Sequence, residues 1–333
     1  GLFILGTEIN GAKSWYRFGG ISLQPSEFSK AFTALALAKL MSDRKYNLSI
    51  IKNQLKAFIV IFLPAFLIAL HDPGSAIIYL AFFFVLNREG LTLAYIILGC
   101  TSIILFIATI LAGVKIIIGS LFILITTYLI YKIFRNKRFL QFNWLKVVAI
   151  YFFSSLFIFT ADYSYNHVLK KHQRDRFEVI LGRTSDTQQI GYNSDQSIQT
   201  ISSGKFWGKG FLEGDKTQGN FVPAQDTDYI FSVVGEEWGF VGSSLVILLF
   251  IALLFRIIHR AEKHANKFGR IYGYGVASIL FFHLIVNIGM VIGLIPTVGI
   301  PLPFFSYGGS SLWGFTLLLF IFIKLDAEKS YDW

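Results

Sequence analysis

Leu91-Thr-Leu-Ala-Tyr-Ile-Ile-Leu-Gly-Cys-Thr-Ser-Ile-Ile-Leu-Phe-Ile-Ala-Thr-Ile-Leu-Ala-Gly113 carries no charged side chain from end to end. The hydrocarbon layer of a bilayer, about 30 Å thick, takes roughly 20 apolar residues of helix to cross. This stretch is long enough, and it has neighbours of the same kind at Ala57–Leu70, Ile116–Ile130 and Leu245–Phe255. Only 15% of the chain is charged, whereas soluble domains run at about 25%. The composition therefore predicts an all-α, polytopic transmembrane helical bundle. Nine spans are expected, at about 25–41, 55–70, 74–88, 91–113, 115–134, 144–161, 241–258, 273–295 and 308–325. Pro25 is placed to start the first, and Pro64 to kink the second.

The formal charge of +10 does not point to nucleic acid, because the basic residues gather between the apolar blocks. Lys39, Arg44, Lys45, Lys52 and Lys56 form one cluster. Lys132, Arg135, Lys137, Arg138 and Lys146 form the second, and Arg256, Arg260, Lys263, Lys267 and Arg270 the third. Cytoplasmic loops are enriched in Lys and Arg. Nine spans put all three clusters, and the Arg88 connection, on one side. That parity predicts that His71–Gly74, the stretch 162–228 and the loop 296–307 face outward, with the tail from Lys324 inside. Cys100 is the only cysteine, which excludes an intrachain disulfide. It reads as a small packing residue. No tandem repeat or low-complexity segment is present.

The stretch 162–228 is too charged for a bilayer and too long for a plain connection. It is expected to carry short amphipathic helices over the outer mouth of the bundle. Three segments stand out there and elsewhere. The first is Ser14-Trp-Tyr-Arg-Phe-Gly-Gly-Ile-Ser-Leu-Gln-Pro-Ser-Glu-Phe-Ser-Lys30. The second runs from His172-Gln-Arg-Asp-Arg176 through Trp207-Gly-Lys-Gly210 to Thr227-Asp-Tyr-Ile-Phe231 and Gly235-Glu-Glu-Trp-Gly239. The third is Asn287-Ile-Gly-Met-Val-Ile-Gly-Leu-Ile-Pro-Thr-Val-Gly-Ile-Pro-Leu-Pro-Phe-Phe-Ser-Tyr-Gly-Gly-Ser-Ser311.

In this order, over nearly the whole chain, these segments resemble the RodA/FtsW (SEDS) family of peptidoglycan glycosyltransferases, with a lean toward the RodA branch. The resemblance implies an inverting enzyme of the cytoplasmic (inner) membrane with an extracytoplasmic active site. It would polymerise lipid II into β-1,4 glycan for cell elongation and shape, and release polyprenyl diphosphate. A class B penicillin-binding protein is the implied partner, beside membrane lipid; no nucleic acid is expected. The family has about ten spans. Gly1 falls near the end of its third, so the single transmembrane domain 1–333 is expected to lack its N-terminal spans. The family also has one span where this chain has three, so an inserted helical pair is expected within 91–161. Asp72-Pro73-Gly74 replaces an acidic residue followed by Leu-Gly.

The resemblance makes Asp228 the catalytic acidic residue. A sugar hydroxyl attacking an anomeric carbon needs a base, and a carboxylate serves. On the residues alone, Asp228 reads first as a helix N-cap, since it precedes an apolar run; the motif match reverses that order. Asp226 is its local rival. The diphosphate leaving group calls for cations. Arg174 and Arg176 match the family's Gln-Arg-x-Arg and Lys209 its Gly-Lys-Gly, although the arginines would equally snorkel to lipid headgroups. A divalent cation (Mg or Mn) is left open, with no ligand constellation to mark it.

Glu27 and Lys30, three residues apart within a span, read as an ion pair and, by resemblance, as lining the cavity. His283 and Asn287 share a helix face and read as interhelical hydrogen-bonding residues. The Pro-rich stretch 296–309 is irregular backbone that must be buried or line a wet cavity. Ser306, Ser310 and Ser311 bring hydroxyls there. One of Glu236 and Glu237 is expected to face the cavity. A flippase for lipid-linked precursor and a non-catalytic scaffold remain as alternatives. The sequence has no nucleophile triad order, P-loop or dinucleotide fingerprint.

Overall fold

The computed structural model describes residues 6–9, 12–18, 21–136, 144–169, 171–181 and 192–328. Three short strands come first: β1 (Thr7–Ile9), β2 (Ala12–Phe18) and β3 (Ile21–Leu23), antiparallel in that order. No sheet was expected here. Helices follow: α1 (Pro25–Met41), α2 (Ile51–Ala69), α3 (Pro73–Ile77), a 3-10 turn (Ile78–Ala81) and α4 (Phe82–Arg88). Next are α5 (Ala94–Ala112), α6 (Val114–Asn136) and α7 (Trp144–Tyr163), which ends in a π turn at Ser164–Val168. The stretch expected to carry short helices has α8 (Lys171–Ile180), α9 (Tyr192–Ser203) and α10 (Asp215–Gln218). The chain closes with α11 (Ile230–Glu262), α12 (Lys267–Val291) and α13 (Gly309–Glu328).

Seven of these helices are long and apolar enough to cross a membrane: α2, α5, α6, α7, α11, α12 and α13. Two of the nine expected spans fall short. α1 has 17 residues and carries Glu27, Lys30 and Lys39. The stretch 73–88 is broken by the 3-10 turn. Pro25 occupies the first turn of α1, as expected, and Pro64 lies inside a continuous α2. The span expected at 273–295 is shifted: Asn266 caps α12 by accepting from the Phe268 amide, and Gly293 takes φ 75° just past its end.

The chain forms two compact units, Gly1–Thr92 with Asp186–Trp333, and Leu93–Ser185. In the first, α12 is the hub and packs on α11, α1 and α13. Some 72% of its most apolar window is buried, against 28% or less in the other six. That burial explains why polar His283 and Asn287, both inside it, have protein rather than lipid to bond. In the second unit α5, α6 and α7 pack on one another. Phe177 of α8 meets Phe106 of α5 and Tyr165 of the π turn, and Tyr165 also donates to Glu178. Cys100 is exposed on α5 rather than packed inside.

α11 begins at Ile230, one residue on from the start implied by a cap at Asp228 and eleven positions before the membrane span expected from 241. Its first turns, through Gly235-Glu-Glu-Trp-Gly239, dock against the segment 204–210 by main-chain bonds. The Lys209 and Gly210 amides donate to the Glu236 and Glu237 carbonyls, and the Phe240 and Val241 amides to those of Lys205 and Phe206. Gly239 makes the junction. Its φ of 64° and ψ of −158° kink the helix, and a side chain there would overlap Gly208.

Candidate active site

The Thr227-Asp-Tyr-Ile-Phe231 segment enters α11 tied to the Pro-rich stretch 296–309 and α12 through the carbonyls of residues 226–228 and the side chain of Tyr229. The Tyr307 amide donates to the Asp226 carbonyl at 2.8 Å, and Ser306 Oγ donates to that of Thr227 at 2.6 Å. Asn287 Nδ2 donates to the Asp228 carbonyl at 2.7 Å. The Tyr229 hydroxyl meets Thr297 Oγ1 at 3.1 Å. Tyr229 and Phe231 are buried and anchor the segment.

Asp228 is not a cap. Tyr229 holds the N-cap position of α11, with no side-chain cap bond. The Asp228 carboxylate, half-buried, has no hydrogen-bond partner among the described residues. Gly299, at φ 74°, runs beside it; a Cβ there would stand 3.4 Å from Asp228 Oδ2. Burial, and then the nearby Asp72 carboxylate, push the Asp228 carboxyl up to about 6. Asp226, by contrast, is exposed.

Asp72, expected only to stand at an acidic position of the family, lies beside Asp228. It caps α3, accepting from the Ser75 amide at 3.1 Å and the Ser75 hydroxyl at 2.6 Å. Gln24 of the Gln-Pro-Ser-Glu run donates to it at 3.0 Å. The signal was the Asp-Pro-Gly-Ser capping pattern. Nothing in it says that this cap lies beside residue 228.

The other expected residues divide by place. Ser306 accepts from the Leu302 amide and donates to Thr227; Ser310 accepts from the Gln24 amide and donates to the Ser22 carbonyl. Both hydroxyls are thus engaged in joining loops around the site. Glu27 and Lys30 are 3% and 2% exposed and paired at 2.8 Å, with Lys30 also 3.0 Å from His283 Nε2. Lys209 pairs with Glu236 at 2.7 Å and Asp215 at 3.0 Å, and those two contacts hold its ammonium above its usual range.

Glu236 is fully buried and also accepts from Ser203, the Lys216 amide, and the Thr217 amide and hydroxyl. Arg174 and Arg176 sit on α8 in the second unit, where Arg174 donates to the Asn166 carbonyl at 3.3 Å. Among the described residues no group of three or more His, Cys, Asp or Glu is placed to hold a metal ion.

The chain matches the FtsW/RodA/SpoVE family model, described as cell cycle protein, over residues 1–144 and 141–331. It is 29% identical to the peptidoglycan glycosyltransferase RodA of Treponema pallidum, over 98% of this chain and 79% of that protein. It is 32% identical to the peptidoglycan glycosyltransferase MrdB of Escherichia coli K12, over 92% of this chain and 69% of that protein. Among solved structures it resembles a chain of a peptidoglycan synthase complex that coordinates polymerization and crosslinking. The TM-score is 0.67 at 25% identity, covering 99% of this chain and 80% of that one. The rod shape determining protein RodA of Thermus thermophilus shares the fold, with a TM-score of 0.54 at 21% identity over 98% and 74% of the two chains. The chain is a multi-pass membrane protein that belongs to the FtsW/RodA/SpoVE family.

Proposed function

We propose that this protein is a peptidoglycan glycosyltransferase that polymerises lipid II on the outer face of the cytoplasmic membrane, with Asp228 as its general base. The observation that carries the reading is the Asp228 carboxylate. It is half-buried and has no hydrogen-bond partner among the described residues, and it is set on a main chain whose carbonyls at 226, 227 and 228 are each bonded. A pKa pushed up to about 6 makes it a stronger base than an ordinary carboxylate, yet ionised at neutral pH. A scaffold would have no use for such a group.

In the reaction, Asp228 takes the proton of the acceptor sugar's 4-hydroxyl. That oxygen attacks the donor's anomeric carbon from the face opposite the diphosphate. The bond from that carbon to the phosphate oxygen breaks, and polyprenyl diphosphate leaves with the electron pair. The anomeric centre inverts and a β-1,4 link forms. Lys209 is proposed to meet the departing diphosphate; Arg174 and Arg176 are proposed for the same charge on their motif match in the sequence alone. Lys209 already faces two carboxylates, so its share depends on exchanging Asp215, the exposed partner, for phosphate. Glu27, Lys30, Ser306 and Ser310 support the lining. A class B penicillin-binding protein is the proposed partner, in line with the synthase complex whose chain shares this fold.

The test is polymerisation of lipid II by the purified protein without a transpeptidase-active partner. Asp228→Asn keeps the size of the side chain and cannot accept the proton, so it abolishes product. Asp226→Asn, at an exposed side chain, stays active. Product from Asp228→Asn at near the wild-type rate refutes the base assignment.

A further inference from the structure

We infer that Asn287, braced by His283 one turn before it, is a positioning residue that sets the Asp228 carboxylate through the main chain. The inference rests on the reading of Asp228 as the base. Asn287 is fully buried in α12, and its amide nitrogen uses both hydrogens on main-chain carbonyls. One goes to Asp228 and one to Ile300, each at 2.7 Å. Turning the amide over would set its oxygen against two carbonyl oxygens, so this orientation is fixed.

His283 lies four residues earlier on the same face of α12. Its Nδ1 is 3.1 Å from the Pro301 carbonyl, which can only accept. Nδ1 therefore carries the hydrogen, and Nε2 is the acceptor for the Lys30 ammonium at 3.0 Å. Successive carbonyls of the Pro-rich stretch, Ile300 and Pro301, are thus gripped by successive turns of α12. The same stretch grips Asp226 and Thr227 through Tyr307 and Ser306.

Two observations separate positioning from ordinary packing. The Asn287 bond falls on the carbonyl of Asp228 itself, and the Asp228 side chain has no other tie among the described residues to fix where it points. Asn287 Oδ1 is also buried and accepts from none of the described residues. A buried acceptor left bare is a cost that packing alone does not explain. It is consistent with an amide selected for its two donors rather than for a fully satisfied core.

The test compares steady-state lipid II polymerisation and thermal melting for Asn287→Ala, Asn287→Ser, His283→Gln and Asp228→Asn in the purified full chain. Misplacing a reacting group by about 1 Å costs on the order of 10²-fold in rate. Asn287→Ala is expected to lose kcat on that scale, per folded molecule, with KM little changed. Asn287→Ser keeps one donor and falls between. His283→Gln can still donate to Pro301 and accept from Lys30, and keeps most of its rate.

If Asn287→Ala does not fold, the Ser variant decides by the same criteria. A lower melting temperature with wild-type kcat overturns the inference, as does a raised KM with kcat unchanged. Those results with an inactive Asp228→Asn leave the base in place and remove only Asn287. An active Asp228→Asn removes the base reading, and the inference with it.

Discussion

Asp228 feels two influences that act in the same direction, burial and the charge of Asp72, and only the second can be removed by a single substitution. As the proposed base, Asp228 must be unprotonated to act. For a carboxyl near 6, kcat/KM therefore falls as pH drops through that value, about tenfold per unit below it. Asp72→Asn removes the like charge while its side-chain oxygen can still cap the Ser75 amide. The acid limb is expected to move to lower pH in this variant and to stay above the range of a free carboxylate, since burial remains. A pH–rate series on the two proteins checks it; an unmoved limb means that Asp72 does not act on the base. The sequence pointed to Asp228 through its motif, but the cap reading could be set aside only once Tyr229 was seen at the N-cap. Asp72 and Asn287 were not legible as neighbours of Asp228. Their contacts span long separations in the chain, and no local pattern encodes which cap or which amide meets which carbonyl.

α1, α12 and α13 meet at a buried charge. Lys30 of α1 holds Glu27 at 2.8 Å, reaches His283 of α12, and lies 5.3 Å from the centre of the Phe315 ring of α13. Replacing one partner leaves the other charge buried and unpaired, at a cost of about 3–5 kcal/mol. Lys30→Met is expected to lose stability on that scale. Glu27→Gln with Lys30→Met together recovers most of it, since exchanging both charges for neutral groups avoids the desolvation penalty. Thermal unfolding in detergent of both variants checks this; equal loss in the single and double variants would show that the pair contributes little. The pairing itself was readable from the i, i+3 spacing, because a helix brings those positions together. The start of α11 was readable to within one residue, since Asp228 read as the cap of a helix entering there and Tyr229 holds that place. The docking of Gly235-Glu-Glu-Trp-Gly239 was not readable: Glu236 gathers five donors, and Gly239 lets segment 204–210 bond the helix main chain.

Taken as a whole, the first unit shows how the shortest apolar stretch, 73–88, fixes the orientation of everything after it. Its start, at Asp72, lies beside Asp228, where α11 begins. Its end, at Arg88, pairs with Glu262, where α11 ends, at 2.7 Å, and the next residue, Glu89, pairs with Arg270 near the start of α12 at 3.1 Å. The stretch therefore runs from one end of α11 to the other. α3, the 3-10 turn and α4 hold 5, 4 and 7 residues. At 1.5 Å per α-helical residue and 2.0 Å per 3-10 residue, they extend about 26 Å, close to the roughly 30 Å of hydrocarbon. The 3-10 turn lengthens a segment that would otherwise be shorter still. If 73–88 crosses, the three basic clusters share the cytoplasmic side and Asp228 faces out. If it does not, every span from α5 onward inverts relative to α2. Single cysteines at exposed Ser49 and Ser202, in a Cys100→Ser background, separate the two arrangements. In intact spheroplasts an impermeant thiol reagent is expected to label Ser202→Cys and spare Ser49→Cys. In the inverted arrangement both positions share one side and label alike, and the base at Asp228 would then have no access to substrate on the outer face.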